Sequence, residues 1–262
     1  MTVDRVAAFS RERSAVLSFC SGLSEAQWHA DSAAAGWRVR DVVAHLGASC
    51  KTLFTPAAIT VLTTRDIERA NDRPVDSRRD WSVHRVLAEY DRWSAWTLRA
   101  AAIIAATPPR ALRTRLGELG SFRMDLVLPG ALVFDHHVHL RHDIAPAVGL
   151  TAPTTDAQRM TVVVEWMLAV LANQLKATPP SWLSGPITLE LHGAGGGRWQ
   201  IDPNGSLTVH DGTCRDEAGA IRSDVNTFPS WATTRTDWHS AGLELTGDLE
   251  QVTRLLGSIN IV

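Results

Sequence analysis

The chain has 262 residues, of which 45% are hydrophobic and 21% charged, a composition typical of a soluble globular protein with two domains. Its formal net charge of -2 gives no electrostatic reason to expect nucleic acid or an anionic membrane as a partner. Cys20, Cys50 and Cys214 lie too far apart to predict a disulfide framework or a zinc knuckle, and without a signal pattern or a membrane-spanning apolar run we expect a cytoplasmic protein.

Apolar residues that recur about one turn apart predict four long helices in the first half of the chain. They cover residues 3–20, residues from 35 to at least 46, residues 82–106 and residues 124–148. Residues 57–80 and 110–123 are expected to be polar connections. Pro129 is expected in the first turn of the fourth helix, where its missing N–H breaks no hydrogen bond. These helices predict an up-and-down bundle over residues 1–150.

The second half of the chain predicts a small α+β domain over residues 151–262. Residues 157–175 have a helical period, and Ile187–His192 alternates as a strand does. Further strands are predicted at residues 198–202, 206–210, 220–223 and 243–246, and further helices at residues 228–235 and 249–256. Asn204-Gly205 is a strong hairpin signal. Gly193–Gly197 joins two strands and precedes no helix, so we do not expect it to bind phosphate.

The most informative stretch is Phe134–Asp143, which holds four of the ten histidines. With about 3.6 residues per turn, Asp135, His139 and His142 lie on one face of the fourth helix. A carboxylate and imidazoles stacked in this way can chelate a divalent transition metal. The alternative is a polar helix face that binds nothing.

A further ligand could come from His45, at the edge of the apolar face of the second helix. In an up-and-down bundle His45 could meet Asp135 and His139 in the core, although a lone histidine in such a place is usually an ordinary buried residue. Three protein ligands leave the fourth tetrahedral position open, which is characteristic of catalytic zinc sites.

Trp37–Leu46, with the sequence WRVRDVVAHL, resembles the signature W-x-V-x-D-[LV]-x-x-H-L of the mycothiol-dependent maleylpyruvate isomerase family. That family is a branch of the DinB-like four-helix bundles. Asp135–Asp143 is similar to a second family stretch. Residues of the second half resemble the sterol-carrier-like domain that many members carry, namely Asp224, Phe228, Arg235 and Leu245–Leu249. The resemblance implies a DinB-like four-helix bundle followed by a sterol-carrier-like α+β domain.

By this resemblance the zinc ligands are His45, Asp135 and His139. The chain departs from the family in having Asp135 where members usually have Glu. In the family, moreover, the histidine commonly lies three residues before an aspartate, whereas His139 lies four residues before Asp143.

A frame fitted to Asp143 would place His136 and Leu140 at the ligand positions and lose the chelating pair. We therefore prefer the frame that keeps a carboxylate and a histidine four residues apart. In that frame His142 is a substitute ligand or a residue that supports one.

The resemblance also implies a function: a zinc-dependent isomerase or thiol transferase that uses mycothiol as co-substrate on a small electrophilic substrate. An arginine-rich composition suits the actinobacteria, in which mycothiol is the usual thiol. Arg235 is implied to bind a substrate carboxylate, and the alternative is an ordinary surface arginine. The competing hypothesis is a non-catalytic small-molecule or lipid-binding protein whose bundle is metal-stabilised or inert. The expected partners are a small-molecule substrate and a thiol, and the expected assembly is a monomer or a homodimer.

Overall fold

The computed structural model describes residues 3–210 and 217–261, so Cys214 lies outside the described residues. The chain divides into two compact units, Met1–Thr154 and Thr155–Val262. The first unit is mainly helical and the second contains a five-stranded sheet, which confirms the predicted order of a helical and an α+β region. Among the described helices, no single one is long and apolar enough to span a membrane. One bent pair of helices passes the same test of length and composition together, with an angle of 99° between its members.

The first unit contains four long helical segments and several short elements. The helices are α1 (Arg5–Ser21), α2 (Glu25–His29), α3 (Val39–Thr52), α4 (Ala57–Thr63), α5 (Ile67–Asp76), α6 (Val83–Ala105), α7 (Met124–Leu126) and α8 (Leu132–Val138). Side-chain caps define several starts, because Asp4, Ser24 and Ser82 accept hydrogen bonds from backbone N–H groups of the first turns.

The fourth long segment runs from Met124 to Ile144 and is not a regular α-helix. Two π-type segments, Val127–Ala131 and His139–Ile144, interrupt it on either side of α8. The prediction that Pro129 lies in the first turn is therefore wrong. Proline lacks an N–H and its ring crowds the carbonyl four residues before it, and the wider π turn accommodates both effects inside the helix.

Two regions predicted to be connections have regular structure. Residues 57–80 form α4 and α5, because Asp66 caps α5 by accepting from Arg69 N and because Val75 is fully buried. Residues 110–123 contain an antiparallel hairpin of β1 (Arg113–Leu116) and β2 (Gly120–Arg123). The charged composition of both stretches indicated exposure correctly but concealed the few apolar residues that attach them to the core.

Helices α3 and α6 share the most extensive contact between the helices that the structure describes in the first unit. A Cβ atom added to Gly47 would lie 3.2 Å from the backbone of Tyr90, so a side chain there would separate the helices. The two helices run in the same direction, since Thr97 Oγ1 donates to Cys50 O further along both of them. The predicted up-and-down order is therefore wrong for this pair, because the chain between the helices returns to the start of α3, where Arg40 donates to the carbonyl of Trp81. This packing fixes the position of α3, the helix that carries His45.

A buried ionic cluster joins α1 to the 124–144 segment. Glu12, which has no exposed surface, lies 3.2 Å from His137 Nδ1 through Oε1 and accepts from Arg141 Nη1 at 2.8 Å through Oε2. Arg141 also donates to the carbonyl of Pro153 at 3.1 Å. Burial raises the pKa of Glu12, but the hydrogen bonds and charges of His137 and Arg141 outweigh it and lower that pKa from 4.5 to about 2.

The second unit is an α+β fold built on a five-stranded sheet of order β5-β4-β3-β6-β7. Its strands are β3 (Ile187–His192), β4 (Gly197–Ile201), β5 (Leu207–Val209), β6 (Gly219–Asp224) and β7 (Glu244–Gly247), and its helices are α9 (Ala157–Ala177), α10 (Phe228–Ala232) and α11 (Leu249–Leu256). Strands β3 and β6 pair in parallel and the other neighbours are antiparallel. As predicted, Asn204-Gly205 forms the β4–β5 turn, in which Gly205 has a φ of 80°.

We predict that Glu12→Gln destabilises the first unit and flattens its response to acid. A folded-state pKa of about 2, against 4.5 when unfolded, means that Glu12 stabilises the fold above pH 4.5 and loses this contribution, about 3 kcal/mol, as the pH falls towards 2. Urea unfolding between pH 7 and pH 3 measures the effect. Glu25→Gln, at a mostly exposed side chain, is the control. An unchanged pH dependence in Glu12→Gln would contradict the prediction.

Candidate metal centre

His45, Asp135 and His139 converge in the first unit. One nitrogen of each histidine and one oxygen of the aspartate lie within 4.8 Å of one another. Asp135 Oδ1 is 3.3 Å from Nε2 of His45 and also 3.3 Å from Nε2 of His139. Both histidines are buried, and the aspartate is partly exposed. Two imidazole nitrogens and a carboxylate oxygen around one point form a donor set suited to a divalent transition metal.

The elements of the first unit place the three side chains in a simple way. Asp135 is in α8, so His139, four residues later, lies one turn further along the same face. His45 lies in the middle of α3 and reaches Asp135 from the facing helix. Distant stretches of sequence therefore supply the two sides of the site.

Asp143 holds the far side of His139. Its Oδ2 accepts from His139 Nδ1 at 2.6 Å, and the aspartate has no exposed surface. This bond leaves Nε2 of His139 as the nitrogen that faces Asp135. A histidine whose second nitrogen donates to a carboxylate is the usual arrangement at metal sites. In the sequence, the four-residue spacing from His139 to Asp143 indicated only a departure from the family pattern. In the structure, the same spacing provides this hydrogen bond.

His142 lies apart from the three converging side chains. Its ring centroid is 6.4 Å from that of His137, the histidine beside Glu12, and it does not join the group of ligand atoms. The expectation of a shared face assumed a regular α-helix, but a π-type segment begins at His139. In such a segment each residue rotates less about the helix axis than in an α-helix. His142, three residues after His139, therefore points further away from His139 than it would in a regular α-helix.

The electrostatics of the cluster favour a bound cation. Burial raises the pKa of Asp135, but the charges and hydrogen bonds of His45 and His139 hold it well below its usual range. Burial lowers the pKa of His139, and the carboxylates of Asp135 and Asp143 raise it more strongly, to about 9. The two carboxylates therefore favour positive charge at His139, and a metal ion bound to Nε2 would supply that charge in place of a ring proton.

Trp37 lies beside both histidines of the site, and the two described cysteines, Cys20 and Cys50, are candidates for a nucleophile. The Trp37 ring lies 5.0 Å from the ring of His45 and 6.3 Å from that of His139, and its Nε1 donates to Asp72 at 3.2 Å. Cys20 and Cys50 are fully buried, and burial raises the pKa of each to about 12, so neither is a thiolate nucleophile at neutral pH.

Arg235 belongs to the second unit. The predicted helix over residues 228–235 ends at Ala232, and Arg235 follows in an exposed turn. The preceding residue, Thr234, has a φ of 58°, which is unusual for a residue other than glycine.

Comparison with known proteins supports the resemblance found in the sequence. The family model described as mycothiol maleylpyruvate isomerase N-terminal domain matches residues 9–145. A crystal structure of a mycothiol-dependent maleylpyruvate isomerase has a TM-score of 0.57 at 14% identity, over 92% of this chain and 91% of that chain. A histidine-to-alanine mutant of such an enzyme has a TM-score of 0.55 at 13% identity with the same coverage. No curated protein matches the chain significantly.

At these identities the solved structures establish a shared fold over both units and nothing finer. The family model spans more than half of the chain and includes all three converging side chains. The chain therefore belongs to the mycothiol maleylpyruvate isomerase family.

Proposed function

We propose that this protein is a zinc-dependent enzyme that activates a low-molecular-weight thiol, mycothiol by family membership, for attack on a small electrophilic substrate. The observation that carries the proposal is the convergence of His45, Asp135 and His139. We further infer that the enzyme is cytoplasmic, that it acts as a monomer or homodimer, and that its source is an actinobacterium.

The three side chains fit a catalytic zinc site. They provide two neutral nitrogen ligands and one anionic oxygen ligand, and they leave one tetrahedral position for a thiol. A zinc ion held there would lower the pKa of a coordinated thiol and make a thiolate available at neutral pH. No protein cysteine is then required, which agrees with the inert environments of Cys20 and Cys50.

The protein's own residues perform three tasks in this proposal. Asp135 supplies negative charge between the histidines. Asp143 keeps a proton on Nδ1 of His139, so that Nε2 offers its lone pair to the metal. Trp37 covers one side of both histidine rings and limits the access of water.

By the resemblance to the family's second domain, Arg235 is the residue of this chain that would bind a carboxylate bidentately if the substrate bears one. Addition of the thiolate sulfur to an activated carbon–carbon double bond breaks the π bond and moves its electron pair onto the activating group. Protonation of this adduct completes a conjugation. Rotation about the former double bond, followed by return of the electron pair and expulsion of the thiolate, completes a cis–trans isomerisation. The name of the family favours isomerisation.

We predict that His45→Ala loses stoichiometric zinc and thiol-dependent activity together. His142→Ala is the matched control, because it removes a nearby histidine that lies outside the ligand group. Metal analysis of the purified proteins and of protein reconstituted with zinc measures the difference. If the wild type binds no stoichiometric zinc, or if His45→Ala keeps it, the enzyme proposal fails and a non-catalytic ligand-binding protein becomes the better account.

We predict that Asp143→Ala weakens zinc binding by about 10–100-fold, because His139 is then free to rotate or change tautomer. Asp143→Asn should lose less, since its amide oxygen can still accept from Nδ1. Competition with a chromogenic chelator measures affinity, and the visible spectrum of the cobalt-substituted protein reports the ligand geometry. Equal affinity in wild type and Asp143→Ala would show that this hydrogen bond does not position His139.

We predict that Arg235→Ala raises KM for a carboxylate substrate by more than tenfold and leaves zinc content unchanged, because the loss falls on substrate binding. Arg235→Lys should recover only part of the loss, since lysine cannot bind bidentately. Arg222→Ala, at another partly exposed arginine of the second unit, is the control. If Arg235→Ala leaves KM unchanged, Arg235 does not bind the substrate and is an ordinary surface arginine.

A further inference from the structure

Charge is unevenly distributed within the first unit. Residues 42–65 and 92–117 contain seven of the 26 Lys and Arg residues of the chain and none of its 28 Asp and Glu residues. The seven are Lys51, Arg65, Arg92, Arg99, Arg110, Arg113 and Arg115. Lys51 pairs with Glu89 at 3.0 Å, whereas none of the six arginines forms an ion pair with any residue that the structure describes. The net charge of -2 therefore conceals two segments whose own charged residues are all basic, although Asp66, Asp91 and Glu118 adjoin them.

The same two segments expose large apolar side chains. Six of them are more than 40% exposed: Leu53, Phe54, Ile59, Trp96, Ile103 and Leu112. The largest exposures in this set are those of Ile103, at 65%, and Ile59, at 64%. Helix α4 is mostly apolar and yet buries none of its side chains. Exposed apolar residues concentrated in this way usually mark an interaction site.

These residues lie towards one end of the first unit. Because α3 and α6 run in the same direction, their C-terminal halves lie side by side, and the rings of Phe54 and Trp93 are 5.6 Å apart. The β1–β2 hairpin packs on α4, where Gly117 meets Val61 and Thr64. The basic apolar end, as we call it, consists of the seven cations and six apolar residues named above.

We propose that the basic apolar end docks on the surface of an anionic lipid bilayer. Apolar side chains can enter the boundary between headgroups and acyl chains while the arginines contact lipid phosphates. The Trp96 ring, 5.3 Å from the guanidinium carbon of Arg99, combines an apolar body with a neighbouring charge as residues of membrane interfaces do.

Two other possible partners of the basic apolar end, a second copy of this chain and a nucleic acid, fit its charge and its apolar residues less well. A second copy of this chain would bring like charges into contact, which disfavours a symmetric interface. A nucleic acid would satisfy the arginines but would leave side chains such as Ile103 and Ile59 without an apolar partner. A lipid surface accommodates both classes of side chain.

The test is cosedimentation of the full chain with vesicles of neutral phosphatidylcholine or of phosphatidylcholine mixed with phosphatidylglycerol. We expect binding to the mixed vesicles that weakens as salt is added. Ile103→Glu and the double variant Arg99→Glu/Arg110→Glu should each lower the partition coefficient by at least about tenfold. The control is Leu249→Glu, which adds the same charge at a 54% exposed leucine of the second unit. Unchanged zinc content and circular dichroism establish that the variants are folded.

Several results would overturn the proposal. Equal binding to neutral and anionic vesicles would remove the role of charge, and equal loss in Leu249→Glu would remove the role of this surface. Light scattering that shows a dimer abolished by Ile103→Glu would assign the surface to a second copy. Retention by DNA that depends on the arginines and is unaffected by Ile103→Glu, without binding to vesicles, would assign it to nucleic acid.

Discussion

The first unit depends on the partners of the charged side chains that the 124–144 segment buries, whereas His136 of the same segment is fully buried with no side-chain hydrogen bond among the described residues, and burial lowers its pKa to about 4. Asp135 and His139 face His45 across the bundle, and Asp143 supports His139 from behind. On another side of the segment, His137 and Arg141 surround the fully buried Glu12 of α1. A buried charge without a partner costs several kcal/mol, so α1 and α3 are held where Glu12 and His45 can pair with the side chains of this segment. The same pairings therefore determine both the packing of the bundle and the geometry of the candidate metal site.

A departure from the family spacing still gives a supported ligand, because side chains four residues apart are neighbours on a helix. The π-type segment that begins at His139 keeps this pair together. Asp143 then reaches Nδ1 of His139 at 2.6 Å. The wider turn of the π-type segment moves His142 away from the ligands and towards His137. The longer spacing between His139 and Asp143 therefore keeps the hydrogen bond to His139, and His142 lies outside the group of ligand atoms.

Much of this could be predicted from sequence, and the failures have physical causes. Helical and alternating periods identified the two kinds of unit, and the motif around His45 led to the group that the structure brings together. The displacement of His142 depends on the π-type segment, which leaves no mark on an apolar period of 3.6. The support from Asp143 was visible as a four-residue spacing but was not recognised as a hydrogen bond. The helix α5 was missed because charged residues dominate its composition, and the helix α4 was missed because it is only seven residues long and buries none of its side chains. The net charge of -2 likewise hid the basic apolar end, since a sum over the chain discards position.

The replacement of the family's usual glutamate by Asp135 does not by itself argue that the site is lost. Asp135 Oδ1 is equidistant from the two histidine nitrogens, at 3.3 Å, so the shorter side chain reaches the centre of the group. An aspartate also has one rotatable bond fewer than a glutamate, and its carboxylate loses less conformational entropy when a metal fixes it. A shorter ligand also requires that the two elements that carry the site keep their positions. The chain meets that requirement by holding α3 tightly against α6 at Gly47 and by tying the 124–144 segment to α1 through Glu12. A shorter ligand and a more firmly positioned pair of helices are therefore two parts of the same arrangement.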